Sequence, residues 1–338
     1  MRQLLLCIFM LLISHIAFTQ SINFVNLHWI FKPGLQLEGE YLFPKTKGAE
    51  SSLRFNYYNL KATALIPIKG NVGLKLTNDK GLLQVPIIKK GVDVRAHQIF
   101  WRIGGGVSQY NDLTPLTIPN DYVLITTGLT GIHYIQKFRF VFYNANLSIT
   151  ESKSSVEFPP IRADLSCGFA KVYSPTFIYF YGLSLNYNDG LFLPIPFVGF
   201  TGKISKKVNA TVILPLEANL SSKITKGFRQ TAFIKLKGAR NGYYHNQPLA
   251  LGPNFRSNFN FYHLRYGTSS NLKLSKKLQM SASVAYTSRT NVEVDYDNDY
   301  KENIEIKFPN TFVAEGKLNY TFGKSLLNNA LGKSIINF

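Results

Sequence analysis

The chain is poor in several things, and each scarcity excludes something. It carries 2 cysteines, Cys7 and Cys167, in 338 residues, too few for a disulfide framework or a four-cysteine zinc site. It has 19 acidic residues against 38 basic ones, a formal charge of +19, but the bases are scattered rather than gathered into a tail or stripe, which argues against nucleic-acid binding. After Gln20 there is no continuously apolar run long enough for a spanning helix, so helical membrane spans are excluded. What is plentiful is aromatic carbon, 26 Phe and 19 Tyr, in a chain that is 45% apolar and only 17% charged. That composition packs rather than disorders.

Residues 1–19 have the layout of a secretory signal peptide: Arg2 first, an apolar run from Leu4 through Leu12 to Ile16, then Ala17, Phe18 and Thr19 before Gln20. The run of about 15 mostly apolar residues is shorter than the roughly 20 a retained helical anchor needs. Cleavage is expected before Gln20, and Cys7, inside the apolar run, is poorly placed for lipid attachment. The mature chain then holds one thiol and closes no internal disulfide.

Beyond Gln20 the recurrent period is two. Leu35, Leu37, Gly39, Tyr41 and Phe43 alternate with Gln36, Glu38 and Glu40. Leu278, Met280, Ala282, Val284 and Tyr286 alternate with polar residues, as do Phe312, Ala314, Gly316, Leu318, Tyr320 and Phe322, whose opposite face holds Glu315, Lys317, Asn319 and Thr321. Phe177 to Tyr187 reads the same way with a blurred start. These are half-apolar strands of about ten residues, and with the less regular segments they number about 14, in a range of roughly 12 to 16. The short segments beside Pro67, Pro86 and Pro215 set that range. Leu326, Leu327, Ala330 and Leu331 suit one short amphipathic helix after the last strand.

The connections discriminate better than the strands. Lys69-Gly70-Asn71, Gln136-Lys137, Ser174-Pro175, Ser205-Lys206-Lys207, Thr225-Lys226-Gly227 and Ser275-Lys276-Lys277 read as short turns. The stretches around 109–120, 150–161, 239–257 and 289–310 read as long loops rich in Asn, Asp, Gly, Pro and Tyr. From residue 121 the two kinds alternate if Leu214-Pro215-Leu216 is a tight corner on the long-loop side, which is the asymmetry of hairpins standing in a membrane. A soluble sandwich alternates too. Aromatics at strand ends and charges on the polar faces favour an all-β, closed antiparallel transmembrane β-barrel over residues 35–323. A periplasmic segment at 20–34 and a C-terminal extension at 324–338 would flank it. The closing strand is expected to pair with the strand at Leu35 to Phe43, setting Glu38 and Glu40 beside Lys317.

The block from Leu193-Pro194-Ile195-Pro196 to Phe200, the strand Val208 to Pro215, and the closing Leu318-Asn319-Tyr320-Thr321-Phe322-Gly323 resemble the uncharacterised outer-membrane barrel proteins of Bacteroidetes-type bacteria. The likeness is clearest over residues 177–323. It implies an outer-membrane location and a barrel architecture but no reaction and no catalytic residue. The glycine and alternating residues Gly316, Leu318, Tyr320 and Phe322 resemble a terminal signal for the barrel-insertion machinery, which with outer-membrane lipid is the expected partner.

Little chemistry is legible. His28, His97, His133, His245 and His263 lie in no Ser/His nucleophile signature or paired-histidine metal motif, so no enzyme activity and no cofactor are expected, and an embedded lipid hydrolase is the least favoured reading. Gly104-Gly105-Gly106 lacks the helix and Lys-Ser/Thr of a phosphate loop and reads as a bend or a close approach inside a strand. The acidic run Glu293, Asp295, Asp297, Asp299, Glu302 and Glu305 does not space as an EF-hand and reads as a solvated loop before a calcium site. Candidate lumen or rim charges are Glu38, Glu40, Arg54, Lys75, Lys235, Lys237 and Lys317. Two functions follow: a passive small-solute pore with mild anion preference, or a plugged structural or adhesive barrel that binds a partner through its long loops.

Overall fold

The computed structural model describes residues 33–46, 54–77, 83–85, 90–111, 118–136, 139–152, 161–174, 176–188, 191–244, 256–296 and 304–322. The expected signal peptide, the C-terminal helix, His28, His245 and the acidic residues Asp297, Asp299 and Glu302 lie outside them. The strands are β1 (Gly34–Thr46), β2 (Arg54–Thr77), β3 (Leu83–Val85), β4 (Lys90–Asn111), β5 (Asp121–Gln136), β6 (Arg139–Ser152), β7 (Arg162–Ser174) and β8 (Phe177–Asn188). They continue as β9 (Leu191–Lys203), β10 (Val208–Leu214), β11 (Glu217–Lys223), β12 (Phe228–Tyr244), β13 (Arg256–Lys273), β14 (Leu278–Tyr296), β15 (Ile304–Phe308) and β16 (Phe312–Thr321).

Each long strand is hydrogen-bonded antiparallel to its neighbours in sequence order, and the ring closes where β1 meets β16. Setting aside the short β3 and β15 leaves a closed barrel of 14 strands. The seam has the register expected from the alternation, Leu35 opposite Tyr320 and Glu38 opposite Lys317. β15 and β16 behave as one strand broken at Pro309, because β14 pairs with both in turn. The switch falls near a bulge at Tyr262/Leu264, beside which Arg289 takes a left-handed φ of 53°.

Period two sorts the side chains. Leu35, Leu37, Tyr58, Leu60, Ile103, Ile125, Leu129, Leu165, Leu183, Val198, Ile234, Val284 and Leu318 are large apolar residues exposed on the outside. Glu40, Ser108, Asn146, Ser184, Arg265 and Glu315 are buried inside. A soluble sheet hides its greasy face; this one displays it, which is the arrangement of a barrel standing in hydrocarbon. On three adjacent strands an aromatic row crosses the outer face, with Tyr266, Tyr286 and Phe312 in successive contact at centroid separations of 5.4 and 5.2 Å. β16, 10 residues long, rises ~25 Å at ~3.3 Å per residue and a tilt near 40°, the height of the apolar band in such barrels.

One expectation is overturned. Lys69-Gly70-Asn71 is not a turn but lies inside the 24-residue β2, which runs on with β4 past the other short turns as a projecting hairpin. Pro67 permits this because the β1–β2 ladder ends at Gly34↔Leu65, so its missing N–H falls on a free edge. A bulge between Pro67 and Lys69 absorbs the misfit. The loops near 239–257 and 289–310 are also shorter than expected, since β12 reaches Tyr244 and β14 reaches Tyr296.

Candidate functional site

The barrel wall converges on a charged layer in mid-lumen. Alternate residues of β1 point Glu38 and Glu40 inward, β16 contributes Glu315 and Lys317, β12 Lys235 and Lys237, and β13 His263 and Arg265. Lys237 Nζ pairs with Glu40 and lies 3.4 Å from both Glu38 and Glu315, which ties β12 to the β1–β16 seam. Arg265 donates to Glu40 at 2.5 Å, reaches Glu315 at 3.4 Å and bonds the Tyr57 hydroxyl, which itself donates to Glu40. Lys235 and Lys317 complete the set on Glu315 at 3.1 and 2.7 Å. Arg265 and Glu40 are 1% and 2% exposed, so the attraction acts with little screening, and removing one partner leaves a buried charge uncompensated.

Carboxylate oxygens of Glu38, Glu40 and Glu315 lie within 4.8 Å of one another, a spacing that would hold a metal ion. Lys237 contacts all three, however, so an ammonium already stands where the cation would.

Beside this layer lies an aromatic one. Tyr57 meets Phe261 at 4.8 Å, Tyr110 meets Phe259 at 5.0 Å, and Tyr122 packs on Tyr110 at 5.5 Å. The rings come from β2, β4 and β5 on one side and β13 on the other, and Tyr57, Tyr110, Tyr122 and Phe259 are at most 1% exposed. Asn241 of β12 donates to the Tyr110 hydroxyl at 3.0 Å, and next to it Gly242 pairs with Glu151 of β6. The upper part of β12 therefore leans across the lumen onto the opposite wall. A second aromatic cluster, Tyr134, Phe140, Phe142, Phe180 and Phe197, fills the interior between β5 and β9.

Of the charges expected in the lumen, Glu38, Glu40, Lys235, Lys237 and Lys317 come together here. Arg54 lies at the long-loop end of β2 opposite Thr46, and Lys75 in the projecting hairpin opposite Asp93, away from this layer. Arg265, Glu315 and Tyr57 were missed as site residues; Glu315 shares the polar face of Lys317, a signal that was available, whereas Arg265 sits in a segment whose aromatics fall on both faces, Phe259 and Phe261 on one and Tyr262 and Tyr266 on the other, and hide the alternation. His133 faces outward with its Nδ1 3.1 Å from that of His97, and His263 accepts from Arg265 Nε at 2.5 Å. Gly104 and Gly106 face inward in mid-strand, where a Cβ on Gly106 would come 2.5 Å from the Leu60 carbonyl oxygen, as a close approach requires.

No protein-family model and no curated protein matches the chain. Among solved structures it is similar to a NanC porin (8% identity, TM-score 0.31, covering 86% of this chain and 99% of that one). It is also similar to a bacterial polysaccharide outer-membrane secretin (8%, 0.34, 87% and 99%) and to OccAB4 of Acinetobacter baumannii (8%, 0.29, 88% and 100%). At these scores the likeness carries no functional argument.

Proposed function

We propose that this protein is an integral outer-membrane barrel whose lumen is closed by its own side chains, the plugged alternative rather than an open pore. The observation that carries the reading is the bridge from Lys237 and Arg265 to Glu40, with the aromatic layer beside it joining opposite walls. An aqueous channel would need this layer to part, and parting strands several buried charges in low dielectric. The expected export by residues 1–19 and the outward-facing Gly316, Leu318 and Tyr320 of the closing strand, offered to the insertion machinery, support the outer-membrane location. The anion preference belongs to a second reading, favoured by the four cations (Lys235, Lys237, Arg265, Lys317) set against three carboxylates in the layer.

Planar-bilayer recording separates the two. The wild-type protein is expected to show no steady conductance, and the double variant Glu40→Ala, Arg265→Ala to conduct with anion selectivity under a salt gradient. Steady wild-type conductance would overturn the plugged reading.

A further inference from the structure

The barrel wall is not of even height. β10 and β11 have 7 residues each, so they rise only ~18 Å from the short-turn side at the same tilt and fall short of the ~25 Å apolar band. Above them, β9 beyond Val198 has no strand on its β10 side, and β12 beyond Leu236 has none on its β11 side until Gly242 meets Glu151. Among the described residues the wall therefore has a gap, floored by the β10–β11 corner and about three strand spacings, ~14 Å, across at that floor.

The edges of the gap are built for hydrocarbon. The corner is Ile213-Leu214-Pro215-Leu216, with no polar side chain, where a turn in water would use Asn, Asp or Gly. Both backbone groups of Leu216 are paired within the protein: its N–H donates to Ile213 O at 2.7 Å, and its O accepts from Leu236 N–H at 2.9 Å. That is the requirement on a chain reversal without water. On the β9 side, Pro194 and Pro196 sit opposite Leu185 and Leu183 in an unbroken ladder. Their ring nitrogens therefore face the gap, and two donors that would stand unpaired there are absent.

Beyond the interior cluster that Phe197 of β9 joins, the lumen wall beside the gap carries a polar row. Asn146, Asp164 and Asn186 are register partners on β6, β7 and β8 and point inward together. Asn146 and Asn186 are 8% and 3% exposed. Asn146 Oδ1, Asp164 Oδ1 and Asn186 Nδ2 are buried with no hydrogen-bond partner among the described residues. Arg162 lies two residues before Asp164 on the same face, and Arg102 lies within its electrostatic reach, so two guanidinium groups face one carboxylate.

We propose that the gap between β9 and β12 is a lateral entrance from the bilayer for a single-chain amphiphile with an anionic head. Its acyl chain lies against Pro194, Pro196 and Leu214, and its head accepts a hydrogen bond from Asn186 Nδ2 and takes charge from Arg102 and Arg162, which outweigh Asp164. This rests on the reading of the apolar belt as membrane-facing. It goes beyond the plugged lumen, because the entrance reaches the side of the barrel that the Glu40 layer leaves apart.

The test is photolabelling of the mature protein in phospholipid vesicles with a diazirine-bearing long-chain fatty acid, adducts being mapped by mass spectrometry. Adducts are expected to concentrate on Pro194, Pro196, Leu214 and Leu236, to disappear with excess palmitate, and to fall about tenfold in Asn186→Leu, the loss of one charge-assisted hydrogen bond. Asn186→Asp, which keeps the site polar and is expected to fold, should reject the carboxylate probe while still accepting a long-chain amine probe. Adducts spread evenly around the belt and indifferent to palmitate would overturn the lateral site and leave the membrane reading intact. Loss of the protein from the vesicles in an alkaline carbonate wash would overturn both.

Discussion

Glu40 shows how much a single side chain decides in this barrel. It is placed by nothing more than the period of β1, yet it receives Arg265, Lys237 and Tyr57 from three other strands. Replacing it by Ala leaves Arg265, itself 1% exposed, beside a neutral methyl. We expect Glu40→Ala to lower stability by roughly 3–5 kcal/mol, read as an earlier unfolding transition of the detergent-solubilised protein on unheated and heated gels. The pair Glu40→Leu, Arg265→Met removes both charges together and should cost much less, with Lys237 still held by Glu38 and Glu315. Equal losses in the single and double variants would show that the cluster is incidental. Glu38, Glu40, Lys235, Lys237 and Lys317 were legible as inward charges because each alternates with apolar neighbours. Their mutual contacts were not, since Lys237 and Glu40 stand 197 positions apart and only closure of the ring brings them together.

Among the elements, the β10–β11 hairpin is the informative one. Leu214-Pro215-Leu216 reads as a tight corner in the sequence, and it is one; that the corner sits within the apolar band follows only from counting both strands at 7 residues beside neighbours such as β12 at 17. Leu214→Arg puts a guanidinium at that depth and should weaken folding into vesicles by about 2 kcal/mol, within the depth-dependent range of roughly 0–4. Ser275→Arg, in a short basic turn outside the band, should have no measurable effect. Equal effects in a denaturant titration would place the corner in water. The β2–β4 extension teaches the converse lesson. Gly70 and Asn71 beside Pro67 carry every local sign of a turn, but whether a proline breaks a strand depends on whether its N–H side has a neighbour, and β1 has already ended at Gly34.

For the whole molecule, closure was readable because the first and last alternating segments carry opposite charges on their polar faces, at Glu38 and Lys317, now register partners. The filling of the lumen was not, because period two assigns a face without saying how far apart opposite faces stand. All of it depends on the outer surface of the barrel meeting lipid chains, and Trp101 reports on that directly. It faces outward, is 41% exposed, and donates its indole N–H to Thr127 Oγ1 at 2.8 Å. The chain has 2 tryptophans, so Trp29→Phe leaves Trp101 as the sole indole emitter. Reconstituted in vesicles of lipids brominated near the head-group end of their chains, this variant is predicted to lose most of its tryptophan emission while resisting aqueous iodide; strong iodide quenching with no effect of the brominated chains would contradict the account.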